Sequence, residues 1–237
     1  MIFAAAGNVF VQHLKPLTAT IPIVAVMGDP VGFGLVASLA HPGGNVTGVS
    51  IDAGSEIQTK RLELLKETSL RVSRIGFLAR RLPGSPYRKP LEEGAQRLGL
   101  VLVGPPLEGT LQETEYRRVF EAMAQEYTDA LPVAPDPENS ANRQLIIELA
   151  EKYRLPAIYP FRQFVESGGL MAYSTDGVDL YTRVAGYIDR ILKGEPPGDI
   201  PIYQAVKFEL VINVKAANAI GLAIPPALLA RADEVIE

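Results

Sequence analysis

Short apolar runs alternate with segments of helical periodicity along nearly the whole 237 residues, and few folds accept that order. A strand that feeds a helix, which feeds another strand, builds a parallel sheet covered on both faces. The clearest instance begins with the apolar run 21–26, which leads into Gly28-Asp29-Pro30. Gly32-Phe33-Gly34 and a short apolar helix are expected next, before Pro42-Gly43-Gly44-Asn45 turns the chain into a second β-rich run at 46–50. Such a βαβ unit sets a carboxylate and bare backbone amides at the C-terminal end of a buried strand, where open α/β sheets bind small molecules.

The same pattern predicts further strands at 2–5, 74–79, 101–103, 130–134, 156–159, 170–174 and 208–214. Helices are expected at 8–15, 56–67, 90–99, 113–125, 140–153, 162–166 and 178–192. Asn8 caps the first of these, and Ser55 with Gln58 forms a capping box for the second. That second helix carries Ile57, Arg61, Leu64 and Leu65 on adjoining turns. In the helix 178–192 the apolar stripe is Tyr181, Val184, Ile188 and Ile191, and Gly194 stops it. Pro132 has no N–H to give a ladder, so its strand is expected at an edge or a bulge. Shifts in composition near 51–55 and 196–201 read as crossings between two lobes.

The chain has no cysteine, which excludes a disulfide, a thiolate nucleophile and an iron–sulfur site. A net charge of −4 with no basic face gives no reason to expect nucleic acid. No stretch approaches the roughly 20 apolar residues of a membrane span, and MIFAAAGN lacks the positive region of a signal peptide. His13 and His41 stand alone, so a packed helix residue and a loop residue are the expected roles, and no metal-ligand spacing occurs. Neither a Gly-x-Ser-x-Gly elbow nor a P-loop is present. Gly32-x-Gly34-x-x-Ala37 with Asp52 has roughly the spacing of a dinucleotide fingerprint. Residues 28–31 separate it from its strand, however, and Pro42 cuts its helix short.

What recurs is a polar or aromatic residue after successive strands: Asn8, Asp29, then Asp136 and Asn139, then Tyr159, Phe161 and Arg162, then Thr175 and Asp176. Strand ends of a parallel sheet share one edge, so these groups converge on a crevice. For Asn139 and Asp176 singly, capping a helix is an equally good account. As a set they line a cleft in which carboxylates and amides hold hydroxyls or an ammonium group. Tyr159, Phe161 and Tyr173 form an apolar wall, and Arg162 at a helix start clamps a carboxylate.

At these residues the chain resembles a known family. IPIVAVMGDPVGFGLVASLAHPGGNVTGVS, RLELLKE, LPAIYPFRQFVESGGLMAYS, LYTRVAGYIDRILKGEPP and KFELVINVKAANAIGL are similar to the ABC-transporter substrate-binding proteins, whose members include binders of tryptophan and other aromatic amino acids. The resemblance implies a type I periplasmic-binding-protein fold, two Rossmann-like α/β lobes with parallel sheets and the ligand between them. The lobes would be 1–50 plus 176–198 and 51–175 plus 199–237. It also implies an extracytoplasmic receptor, periplasmic or membrane-anchored, that closes on a small-molecule solute and hands it to an ABC permease. No catalytic residue, cofactor or metal comes with the family.

Mapped onto this sequence, the family's ligand positions fall at Ala6-Gly7-Asn8, Asp29-Pro30, the loop 79–86, Asp136, Phe161-Arg162 and 173–176, which includes Tyr173, Thr175 and Asp176. Two departures stand out. Arg80-Arg81-Leu82-Pro83 replaces an Asn-Pro-Ala-like loop, and Pro132 replaces an aliphatic residue. Relatives carry an export signal and two further βα units before the strand that opens this chain, so an incomplete first lobe, with an open strand edge favouring a homodimer, is expected. The alternatives are a ligand-sensing effector domain of a cytoplasmic regulator, which uses the same fold, and an NAD-dependent enzyme built on Gly32, Gly34 and Asp52.

Overall fold

A computed structural model describes residues 1–5, 7–51, 56–69, 71–81 and 87–237, and these form two compact units, Met1–Gly54 with Thr175–Phe208 and Ser55–Ser174 with Glu209–Glu237. In chain order the elements begin with β1 (Ile2–Ala4), α1 (Asn8–Leu14), β2 (Ile23–Met27), β3 (Val46–Ser50) and α2 (Glu56–Thr68). Next come β4 (Arg74–Ile75), α3 (Arg88–Arg97), β5 (Val101–Leu102), α4 (Glu113–Gln125), β6 (Leu131–Pro132), α5 (Pro137–Ala141) and α6 (Arg143–Lys152). Then follow β7 (Ala157–Tyr159), α7 (Arg162–Glu166), β8 (Met171–Thr175) and α8 (Gly177–Leu192). The chain closes with β9 (Tyr203–Gln204), β10 (Phe208–Asn213), α9 (Val214–Ala219), α10 (Pro226–Leu229) and β11 (Glu234–Ile236).

In the first unit β1-β2-β3-β9 form a parallel sheet. The two-residue period of β2 sorts its side chains: Ile23, Ala25 and Met27 join Val11 and Leu35 in one core, while Val24 joins Leu180 and Val184 of α8 in the other. Of the expected stripe of α8, Val184, Ile188 and Ile191 face the core and Tyr181 does not. Leu180 and Val184 are buried with Tyr187, Ile188 and Ile191 against them, and Tyr181 faces outward beside Phe3. Residues 199–208, assigned to the second lobe by sequence, belong to the first unit. Tyr203 and Gln204 pair with Val49 and Ser50, and the Thr47 hydroxyl donates to the Ile200 carbonyl at 2.8 Å. A two-residue strand is too short to show a period, which is why β9 escapes a reading of the sequence.

In the second unit the strands run β5-β4-β6-β7-β8-β10-β11, with β4 joined to β6 by bridges Ile75↔Ala130 and Leu78↔Val133. Pro132 is therefore interior, between β4 and β7, not at an edge. Its carbonyl accepts the Leu78 N–H at 3.1 Å, but it has no N–H to return towards Gly76, so the β4–β6 ladder is reduced to separate bridges. β10 runs against β8, since Asn213 N–H meets the Leu170 carbonyl at one end and the Ser174 hydroxyl meets Glu209 at the other. Two cores flank this sheet. Leu62, Leu65, Leu91, Ile158, Leu210 and Ile212 lie on one face, and Phe120, Met123, Ile146, Tyr159, Phe164 and Val211 on the other. The helix expected at 140–153 is two: Asn142 takes φ −99° and ψ 20° between α5 and α6. The capping box at Ser55 lies outside the described residues.

Candidate functional site

The C-terminal ends of the parallel strands carry the polar groups in each unit, and the local reason for each is visible. In the first unit Asn8 is buried, and its Oδ1 accepts the Gly28 N–H at 2.8 Å, tying the end of β1 to the end of β2. Ser50 Oγ, at the end of β3, donates to the Gly28 carbonyl at 2.5 Å. Asp29 Oδ1 accepts the Gly32 N–H at 2.8 Å, and the Pro30 carbonyl accepts from Leu35 and Val36. This changes two expectations. Residues 31–39 form successive turns and no helix. A Cβ at Gly32 would sit 2.0 Å from Asp29 Oδ2 and push that carboxylate off the Gly32 amide, so this glycine takes part in a local turn. Asp52, the other half of that fingerprint, lies outside the described residues, as do Ala6 and 82–86.

Thr175 ends β8 and is half-buried; Asp176 follows as the N-cap of α8, its Oδ1 accepting from Val178 and Asp179 at 2.9 and 3.1 Å. One turn on, Asp179 meets Arg183 (2.9 Å), Lys207 (3.0 Å) and the Tyr203 hydroxyl (3.0 Å), which together hold its carboxyl down to about 2.

In the second unit Asp136 Oδ2 accepts the Arg80 N–H at 3.2 Å, and burial pushes its pKa above the ordinary carboxylate value. The Arg80 side chain turns to Glu138 (3.0 Å) and Arg81 to Glu108 (2.6 Å), so the basic pair is spent within the unit. Asn139, fully buried, is a latch: its Nδ2 donates to the Leu78 and Ala134 carbonyls, both at 3.1 Å, and its Oδ1 accepts from the Tyr116 hydroxyl at 3.1 Å.

Arg162 departs from the expected role. Its guanidinium donates to Glu166 (2.8 Å), Glu209 (3.2 Å) and Glu234, and these carboxylates raise its pKa further. One cation among three anions leaves a negative excess that disfavours a ligand carboxylate, so Arg162 is a tie between α7, β10 and β11 and not a clamp. The apolar wall is also rearranged. Tyr159 is buried and stacked on Phe164 with centroids 4.8 Å apart, while Phe161 and Tyr173 are half-buried and pack against opposite cores. Sequence reasoning left out Ser50, Glu209 and, as a backbone anchor, Arg61. The signal for Arg61 was present, a cation within the apolar stripe of α2.

Among the described residues no group of three or more His, Cys, Asp or Glu is placed to hold a metal. His13 sits on α1 with Nδ1 2.7 Å from the Val9 carbonyl, and His41 is exposed in a loop.

Two α/β units, each with a largely parallel sheet whose strand ends gather polar side chains, define the class of type I periplasmic-binding-protein folds. Residues 1–236 match the family of ABC transporter substrate binding proteins, and the chain belongs to it. A conserved domain protein from Vibrio cholerae is 30% identical, with a TM-score of 0.87 over 99% of this chain and 78% of that one. An ABC domain from Streptococcus pneumonia, solved in complex with L-Trp, is 26% identical, with a TM-score of 0.87 over 99% of this chain and 80% of that one. A tyrosine-binding protein from Clostridioides difficile is 26% identical over 208 residues, 86% of this chain; the match spans 58% of that relative's length.

Proposed function

We propose that this chain is the extracytoplasmic solute-binding component of an ABC importer and that its solute is an aromatic amino acid. The family over residues 1–236 supports the transport role, as do relatives that bind L-Trp and tyrosine. The membrane permease is the partner this reading requires. The observation that carries the choice of solute is Asp136, a carboxylate at a strand end with one backbone partner among the described residues and a pKa raised by burial. A group of that kind gains most from an ammonium ion. Asn8, Asp29, Pro30, Phe161, Tyr173, Thr175 and Asp176 supply the remaining contacts in this reading. Arg162 contributes through the position of α7.

The chain has no tryptophan, so the emission of added L-Trp reports binding without background. Micromolar binding of L-Trp or L-Tyr, with a rise in melting temperature, is expected. No thermal shift with either, alongside protection by NAD, would overturn the reading. Asp136→Asn should weaken binding by at least about tenfold, the loss of one charge-assisted contact. The same substitution separates function from stability. Folding raises the Asp136 pKa, so the ionised carboxylate destabilises the fold once pH exceeds the ordinary value near 3.8, and fully above the raised one. Without ligand, Asp136→Asn should therefore raise the melting temperature at pH 8, and the gain should vanish by about pH 3. A gain that does not change with pH would refute the burial argument.

Association of two copies through β1, which pairs with β2 alone among the described strands and has Phe3 exposed, belongs to the same proposal. Sedimentation equilibrium decides it: a mass of 25.6 kDa at all concentrations rejects the dimer.

A further inference from the structure

The buried stripe of α2 contains one residue that an apolar core does not accept without compensation. Arg61 is 4% exposed, between α2, the end of β7 and the middle of β8. Its Nε and Nη2 both donate to the Tyr173 carbonyl, at 3.0 and 2.9 Å, and Nη2 also reaches the Pro160 carbonyl at 3.4 Å. Burying a guanidinium costs several kcal/mol unless its donors are used. Here Nε and Nη2 are used on backbone at a particular place. The β7–β8 ladder pairs Tyr159 with Ala172, and Pro160 and Tyr173 are the next residues on each strand. Their carbonyls project where the ladder runs out, and one planar fork reaches both.

Those two carbonyls sit beside the groups invoked for solute binding. Phe161 follows Pro160 directly. Thr175 and Asp176 lie two and three residues after Tyr173, and the chain passes from the second unit to the first between Ser174 and Thr175. α2 itself is the first element after the earlier passage, at Gly54 to Ser55. We propose that Arg61 is a positioning residue for solute binding, fixing the backbone just after β7 and at Tyr173 of β8 from α2 so that Phe161 and the 173–176 segment are held in one geometry. This inference rests on the solute-binding reading above. A lysine cannot replace the fork: an ammonium is a point donor on a flexible stem and cannot hold two carbonyls in a fixed plane. A site loosened by about 1 Å loses much of its affinity even when every contacting residue remains.

The test uses Arg61→Lys, which keeps the charge, with Arg61→Met as the second variant. Hydrogen exchange on the ligand-free protein should rise at least about fivefold in peptides covering 159–163 and 172–177 while α4 and α6 keep their protection. Titration with L-Trp and L-Tyr should show a Kd at least about tenfold weaker for Arg61→Lys, with a melting temperature close to that of the wild type. Faster exchange spread evenly over the second unit would make Arg61 a general core residue and overturn the proposal. Unchanged exchange in those two segments would overturn it too, and so would faster exchange there with an unaltered Kd. If the wild type binds neither amino acid, the solute reading fails, and the exchange arm still decides whether Arg61 holds that backbone.

Discussion

Gly48→Ala should destabilise the first unit by about 3–5 kcal/mol, the largest effect expected of a methyl group added at any described glycine. Gly48 is the middle residue of β3, has φ 146°, and sits against the neighbouring strand so closely that a Cβ would lie 1.9 Å from the Ala25 carbonyl oxygen. The clash is with backbone, which cannot rotate away, and β2 is held on its far side by β1. Relief requires separating β2 from β3, and with them the two cores, one holding Ile23 and the other Val24 and Val49. Urea unfolding followed by far-UV circular dichroism should show the first unit melting early or absent. Gly186→Ala is the control. That position is exposed in α8 with open space around it, and alanine there should stabilise by about 0.5–1 kcal/mol through helix propensity. Equal effects at the two positions would show that packing at Gly48 is looser than described.

Asn139→Ala should cost the second unit about 2–3 kcal/mol. The amide is the meeting point of Leu78, Ala134 and Tyr116, and its removal strands the Ala134 carbonyl in the interior and takes one partner from the Tyr116 hydroxyl. Tyr116→Phe removes one of these partners and should cost about 1 kcal/mol. The double variant should then fall short of the sum, since both changes remove the same bond. Strict additivity in a urea series would mean that the latch is not a shared network. Asn139, within α5, also bridges the backbone that follows β4 and β6, so its loss should loosen Asp136 and weaken amino-acid binding without touching a ligand.

Much of the fold was legible because its elements are long enough to show a period. α4 at Glu113–Gln125 and α7 at Arg162–Glu166 fall where the apolar spacing and the turn residues place them, and so does β3 at Val46–Ser50. Three details were not legible. β9 and β11 hold two and three residues, and α5 separates from α6 at a single residue, Asn142. The turns at 31–39 were misread as a helix because the decisive interaction, Asp29 closing on the Gly32 amide, is a hydrogen bond that no periodicity records. Pro132 was placed at an edge by a sound rule about missing donors. The sheet instead tolerates it inside and gives up one bond to β4.

The candidate site divides the same way. Residue type and position after a strand were enough to single out Asn8, Asp29, Asp136, Phe161, Arg162, Tyr173, Thr175 and Asp176. They could not say what each side chain is already holding. Asp176 serves α8, and Arg162 is taken by three glutamates drawn from α7, β10 and β11. The local code of strand, turn and helix, written within about twenty neighbours, established an α/β protein with polar groups at its strand ends. The partners of those polar groups were decided only by folding, because Arg162 meets Glu234 across 72 residues and Arg61 meets Tyr173 across 112. A charge's neighbours at such separations depend on sheet order and register, which no stretch of sequence contains by itself.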